Sequence, residues 1–322
     1  MQMFSVFRPA SSPGVLATVA MLLLFGWLLP ATLYAETDKK EAEDGPPEPE
    51  ELELRSSDGL KLFATYYPGT KGKKSVPVVI LHNLKESGED YASLALFLQG
   101  KGHAVVVPDL RGHGQSTQIF RANRKPVPVK MNRPSPRQVK KMVIDDMSPI
   151  RTFLLQENNE GRLNINKLCL VGSGFGALVA MNYAVEDWSW EDLAYQKQGK
   201  DVKALVLISP EWSFGKNLSA STFIDNPRVR GRLSLLLMVG REKKKTFKNS
   251  EKIHTRLSKF YPEPEEKEAA KAKALFFVKR DTVFQSEKLV NTPEFNCPKT
   301  IAGFIQVRLV AKKFPWEDRS AP

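Results

Sequence analysis

Histidine and cysteine are scarce in this chain: 322 residues carry four histidines and two cysteines, and no histidine lies beyond His254. The four histidines form no His-x-x-x-His pair, the cysteines form no Cys-x-x-Cys, and no carboxylate cluster joins them, so no metal centre is expected. Neither dinucleotide- nor nucleotide-type phosphate loops are present, and no cofactor is expected. Cys169 sits in an apolar strand-like run and Cys297 ahead of a terminal helix. Buried free thiols are common in such positions, so a bridge between them is not the expectation.

Acidic residues are absent from the first 35 positions, where Arg8 precedes an apolar run from Val15 to Leu29 and the small-residue end Ala31-Thr32-Leu33-Tyr34-Ala35. That layout predicts a secretory signal peptide over 1–35, with an uncleaved anchor as the alternative. Either way the chain is expected to be exported, whether periplasmic, secreted or anchored facing outward. Residues 36–54 then hold nine acidic and two basic residues with three prolines, whereas residues 55–322 hold 45 basic and 27 acidic, a net charge of +18. A disordered acidic leader over 36–51 ahead of a strongly basic folded body is the expectation.

Beyond the leader the pattern is regular. Leu52–Arg55 and Lys61–Tyr67 flank Ser57-Asp58-Gly59 and read as a β-hairpin. Continuous apolar runs at Val76–Leu81, Ala104–Val107, Lys167–Val171, Ala204–Ile208, Leu235–Val239 and Leu275–Val278 read as buried strands. They alternate with helical stretches at about Tyr91–Gly100, from Gln138, at Ala177–Val185, at Ser250–Tyr261 and at Ile301–Leu309. Buried strands alternating with helices predict an α/β domain over 52–310, with a mostly parallel sheet covered on both faces and a C-terminal tail over 311–322.

Three turns follow the first three buried strands: His82-Asn83-Leu84 after the first, Pro108-Asp109-Leu110-Arg111-Gly112-His113-Gly114-Gln115-Ser116 after the second, and Gly172-Ser173-Gly174-Phe175-Gly176 after the third. In this order they resemble the turns of the α/β-hydrolase superfamily. The resemblance implies an α/β-hydrolase fold, oxyanion amides from Leu84 and Phe175, and a nucleophile at the centre of the third turn. That centre is Gly174, which tolerates the strained turn but has no atom with which to attack a carbonyl. The family's acid position falls on Lys243, and no histidine comes after the last strand. All three triad positions therefore read as lost, leaving Leu84, Gly174, Phe175 and Lys243 as a vestigial site. The space over Gly174 is expected to be slightly enlarged and open to a small ligand, and the stretch from Ser209 to Arg232 is too short for a large lid domain.

The leading expectation is a non-catalytic pseudo-hydrolase that binds or scaffolds. One alternative is an active esterase- or peptidase-like serine hydrolase using Ser173. Another rests on Arg121, Arg124, Lys125, Lys130, Arg133, Arg137, Lys140 and Lys141, a run with no acidic residue between Arg121 and Lys141. It could attach to an anionic polymer or envelope surface; aromatic interleaving is limited to Phe120, so no specific nucleic-acid motif is seen. His82 and His113 are expected to order their turns, whereas His103 and His254 are expected at the surface.

Overall fold

The computed structural model describes residues 45–320, apart from residues 130, 132–134, 192, 194–196, 217 and 264–271. The expected signal segment and most of the acidic leader lie outside the described residues. Twelve strands occur among those described: β1 (Glu50–Arg55), β2 (Lys61–Tyr67), β3 (Pro77–Leu81), β4 (Ala104–Pro108), β5 (Gln118–Ile119), β6 (Val127–Pro128), β7 (Leu168–Ser173), β8 (Val202–Ile208), β9 (Ser213–Phe214), β10 (Leu218–Ser219), β11 (Ser234–Gly240) and β12 (Leu275–Arg280). Eight of them form one sheet in the order β1-β2-β4-β3-β7-β8-β11-β12. From β4 through β12 neighbours run parallel, while β1 and β2 pair antiparallel at one edge. Every residue of β3, β4 and β7 is buried, which is why these strands read as unbroken apolar runs instead of alternating ones.

Two helical layers supply that burial. Helices α1 (Ala92–Gln99), α7 (Ser286–Asn291) and α8 (Cys297–Ile305) cover one face through Leu94, Leu98, Leu289 and Ile301. The other face is covered by α2 (Pro136–Lys141), α3 (Met147–Asn159), α4 (Phe175–Asp187), α5 (Ala220–Ile224) and α6 (Lys244–Ser258), through Ile150, Leu178, Phe223 and Ile253 among others. This is the α/β-hydrolase fold that the sequence predicts. Among the described residues of the Ser209–Arg232 stretch, the small β9–β10 hairpin and α5 are the only strands and helix, so no large lid is built there. Both cysteines are free and buried. Among the described residues, no helix is long and apolar enough to cross a membrane.

The folded body extends past 310. Asn158, Asn164 and Asn166 donate side-chain hydrogen bonds of 2.7–2.9 Å to the carbonyls of Glu317, Phe314 and Pro315. Arg319 reaches the fully buried Asp201 at 2.7 Å. Beside that pair lies Asp187, whose Oδ2 accepts from the Val202 N–H at 2.9 Å while its Oδ1 is buried without a partner. Burial, then the charge of Asp201, pushes its carboxyl from 3.8 up to about 7. A raised acid is a stability liability that develops as pH rises from the unfolded to the folded pKa. Asp187→Asn, which carries no charge, is therefore expected to melt like the wild type below about pH 4, to gain on it between pH 4 and 7, and to hold that gain above. Melting temperatures across pH 3.5–9 check this, and a gain that shrinks with rising pH contradicts it.

Candidate functional site

The third turn sits where strand β7 gives way to helix α4. Gly174 has φ 50° and ψ −109°, a left-handed conformation that side-chain-bearing residues rarely adopt. The flanking glycines are there for close approach. A Cβ on Gly172 would lie 2.5 Å from the Ala177 backbone, and one on Gly176 would lie 2.2 Å from the Leu81 carbonyl oxygen. The geometry of a nucleophile elbow is thus intact, with glycine at its centre.

The space above Gly174 is not empty. A Cβ placed there would meet Oδ1 of Asn83 at 2.3 Å and its Cγ at 2.4 Å. The Asn83 carboxamide therefore stands where a nucleophile's side chain would begin. Its Oδ1 accepts the Phe175 N–H at 2.9 Å, the amide that the resemblance assigns to an oxyanion hole. The expectation of an enlarged, open pocket is overturned: asparagine replaces the glycine of a His-Gly turn, and its side chain fills the volume that Gly174 vacates. Leu84, expected to offer the second amide, lies half-buried in the same turn with its side chain against the core.

From Asn83 a chain of neutral groups crosses the ends of the neighbouring strands. Asn83 Nδ2 donates to Ser286 Oγ at 3.3 Å, and the Ser286 N–H donates to Ser209 Oγ at 3.1 Å. Ser209 Oγ donates to Gln285 Oε1 at 2.7 Å, and Gln285 Nε2 donates to the Gly240 carbonyl at 2.8 Å. Ser209 and Ser286 both have positive φ, 48° and 52°, so two strained residues meet beside Gly174 in this one cluster. The loop after β12, where the family carries its histidine, presents Gln285 and Ser286 instead. None of these side chains can take up a proton near neutral pH, so the arrangement can position groups but cannot act as a general base.

The comparisons with known proteins agree with this geometry at the level of fold. The family model of serine aminopeptidase, S33, matches residues 72–275, more than half of the chain. The chain belongs to the serine aminopeptidase S33 family. It is accordingly an α/β-hydrolase of the esterase- and peptidase-like kind. An esterase of Pyrococcus furiosus is similar in structure, with a TM-score of 0.57 and 16% identity over 81% of this chain and 92% of that one. A thermostable carboxyl esterase of Bacillus coagulans gives a TM-score of 0.55 at 11% identity, over 82% of this chain and 99% of that one. At such identities the likeness is one of fold alone. A curated relative, the non-heme chloroperoxidase of Burkholderia pyrrocinia, is 33% identical over 66 residues, 20% of this chain and 23% of its own length. The chain thus spans under a quarter of that relative.

Other parts of the S33 framework in this chain are structural. His82 is fully buried; its Nε2 accepts the Leu110 N–H at 2.9 Å, so Nδ1 carries the proton and donates to the Asn83 carbonyl at 2.7 Å. Burial holds its pKa down at about 4 and keeps it neutral. His113 packs edge-on against it at 5.2 Å, as expected of turn-ordering histidines. Arg111, 1% exposed, forks between Asp58 and Asp146 and pins the second turn to the helical layer. Burial alone would raise the Asp58 carboxyl, but hydrogen bonds from Arg111 and Lys141 outweigh it and hold the group well below the ordinary carboxylate range.

The remaining sequence-predicted residues scatter. Ser173 is 1% exposed, its Oγ lying against the Tyr91 phenol, so it cannot be reached by a substrate. Its neighbour Tyr91 is no base: burial and then the charge of Glu86 push the phenol well above 10. Lys243 stands exposed at the head of α6, apart from the hydrogen-bond chain. Of the basic run, Arg121, Arg124 and Lys125 are exposed in the β5–β6 hairpin loop, and Arg137 and Lys140 are exposed on α2. Lys130 and Arg133 lie outside the described residues. Lys141 departs from the expected arm because Asp58 and Asp145 pair with it at 2.9 and 3.1 Å. His103 and His254 are corrected as well. His103 is 3% exposed, and His254 is half-buried with its ring stacked on Phe277 at 4.7 Å. Among the described residues, no group of His, Cys, Asp and Glu could hold a metal.

Proposed function

We propose that this S33-family protein does not turn over esters or peptides and works as a binding or scaffolding protein built on the hydrolase fold. The observation that carries the reading is the Asn83 carboxamide, seated over Gly174 and hydrogen-bonded to the Phe175 N–H. A serine hydrolase needs a nucleophile, a base and an oxyanion hole. Here glycine takes the first position, Gln285 and Ser286 stand in the loop of the second, and an internal amide occupies the third. The Ser173 alternative is disfavoured by its burial and by the absence of an imidazole beside it. Since the site is filled from within, the binding role belongs to other surfaces.

Turnover of acetate-to-octanoate nitrophenyl esters and of aminoacyl arylamides tests the reading. Rates no higher for the wild type than for Ser173→Ala and Gly174→Ala are expected; a rate abolished by Ser173→Ala sinks it. We further infer, from the segment Arg8 to Ala35, that the protein acts outside the cytoplasm. N-terminal sequencing of exported protein is expected to begin at Glu36 if the segment is cleaved or at Met1 if it remains as an anchor. Retention of the whole chain inside the cytoplasm refutes export.

A further inference from the structure

His103 immediately precedes β4, whereas Gly174 immediately follows β7. Because β4, β3 and β7 run parallel, these residues lie at opposite ends of the sheet's strands. Beside His103 a cavity of about 390 Å³ opens between the C-terminal end of α1 and helix α8, within the roughly 300–1,000 Å³ typical of small-molecule sites.

Two independent features of this cavity point to a ligand. The first is charge: Lys71, Lys101 and Lys299 line it, no carboxylate does, and none of the three makes an ion pair among the described residues. Lys71 is tethered there, its Nζ donating to the Lys101 carbonyl, while Lys101 stands 5.4 Å from the Phe97 ring centroid. The second is His103 itself. Its ring is almost wholly buried in the cavity wall, makes no hydrogen bond, and leaves Nδ1 without a partner. Nδ1 itself is covered from the solvent, whereas Nε2 is not among the covered atoms and has no hydrogen-bond partner, so Nε2 is the ring nitrogen left to meet a group that enters the cavity. Between the lysines the wall is apolar, formed by Phe97, Ala302 and Gly303, and a Cβ on Gly303 would meet nothing within 4 Å.

We propose that this cavity binds a small organic anion whose carboxylate or phosphate head is held by Lys71, Lys101, Lys299 and His103, with a short apolar tail along Phe97, Ala302 and Gly303. The lysines supply the charge. Burial, then Lys71 and Lys167, keeps the His103 pKa at about 4, so at neutral pH the imidazole contributes an N–H donor without adding a cation. The site is independent of the elbow, and its ligand need not undergo any reaction.

Calorimetric titration of the full folded protein with octanoate, octyl phosphate and octanol at low salt tests the proposal. Saturable one-to-one binding of at least one of the two anions is expected, with octanol at least tenfold weaker; the stronger anion identifies the head group. Gly303→Leu extends into open space, so it should melt like the wild type and weaken binding at least tenfold. Lys101→Ala/Lys299→Ala changes only surface side chains and should weaken binding at least fivefold and flatten its salt dependence. The proposal is overturned if neither anion binds, if these variants bind as the wild type does, or if inorganic phosphate binds as tightly as octyl phosphate.

Discussion

Replacing Gly174 with serine is expected to destabilise the protein by ~2–6 kcal/mol and to create no enzyme. Two effects add. A side chain at φ 50°, ψ −109° carries backbone strain of about 1–3 kcal/mol. Its Cβ also falls 2.3 Å from Asn83 Oδ1, and overpacking of this kind costs about 1–3 kcal/mol. Asn83 cannot simply swing aside, since its carboxamide is held by the Phe175 N–H on one side and by Ser286 on the other. Asn83→Gly removes the obstruction and loses the Phe175 hydrogen bond, a loss of about 1 kcal/mol. Asn83→Gly/Gly174→Ser should therefore be less destabilised than the sum of the single variants, by about 1–3 kcal/mol. Urea unfolding of all four proteins measures this coupling. Additivity to within about 0.5 kcal/mol means that Asn83 does not occupy the nucleophile's place.

Arg111→Ala should cost a comparable ~3–5 kcal/mol, because it strips a buried ion cluster of its only arginine. Asp146, 2% exposed, would keep Ser56 as a neutral partner but lose its counter-charge, whereas Asp58 retains Lys141. Burial already raises the Asp146 carboxyl in the wild type, and without Arg111 nothing comparable opposes it. The loss should therefore grow as pH rises above about 4, where the unfolded carboxyl ionises, and be smallest in acid. Arg111→Lys keeps one charge but cannot fork between two carboxylates, so an intermediate loss is expected. A loss below about 1 kcal/mol at pH 7 for Arg111→Ala would show that the cluster contributes little net stability.

Much of the fold is legible in the residues because buried parallel strands advertise themselves as runs such as Val78-Val79-Ile80-Leu81 and Leu168-Cys169-Leu170-Val171. Helix α6 is less so. Three lysines at Lys243–Lys245 oppose a helix N-terminus, so the pattern predicts a start near Ser250, yet burial of Thr246 and Ser250 carries the helix back to Lys244. The glycine at the centre of the elbow is read directly from the sequence, since a turn with fixed glycine spacing specifies its centre. The group that fills the gap is not, because Asn83, Ser209, Gln285 and Ser286 are up to 203 positions apart and meet only through loop paths. One signal does point to it: asparagine stands where a His-Gly turn carries glycine. His103 comes after a helix end and a glycine, which locally reads as surface, but it is buried in the wall of the cavity between α1 and α8.

Labelling of the purified protein with a fluorophosphonate probe tests the central claim most directly, run beside Ser173→Ala and Gly174→Ser. The account predicts no labelling of the wild type, because Gly174 offers no nucleophile and Asn83 already holds the Phe175 amide. It predicts none for Gly174→Ser either, which still lacks a histidine. Labelling of the wild type that disappears in Ser173→Ala would contradict it and make this chain an active serine hydrolase.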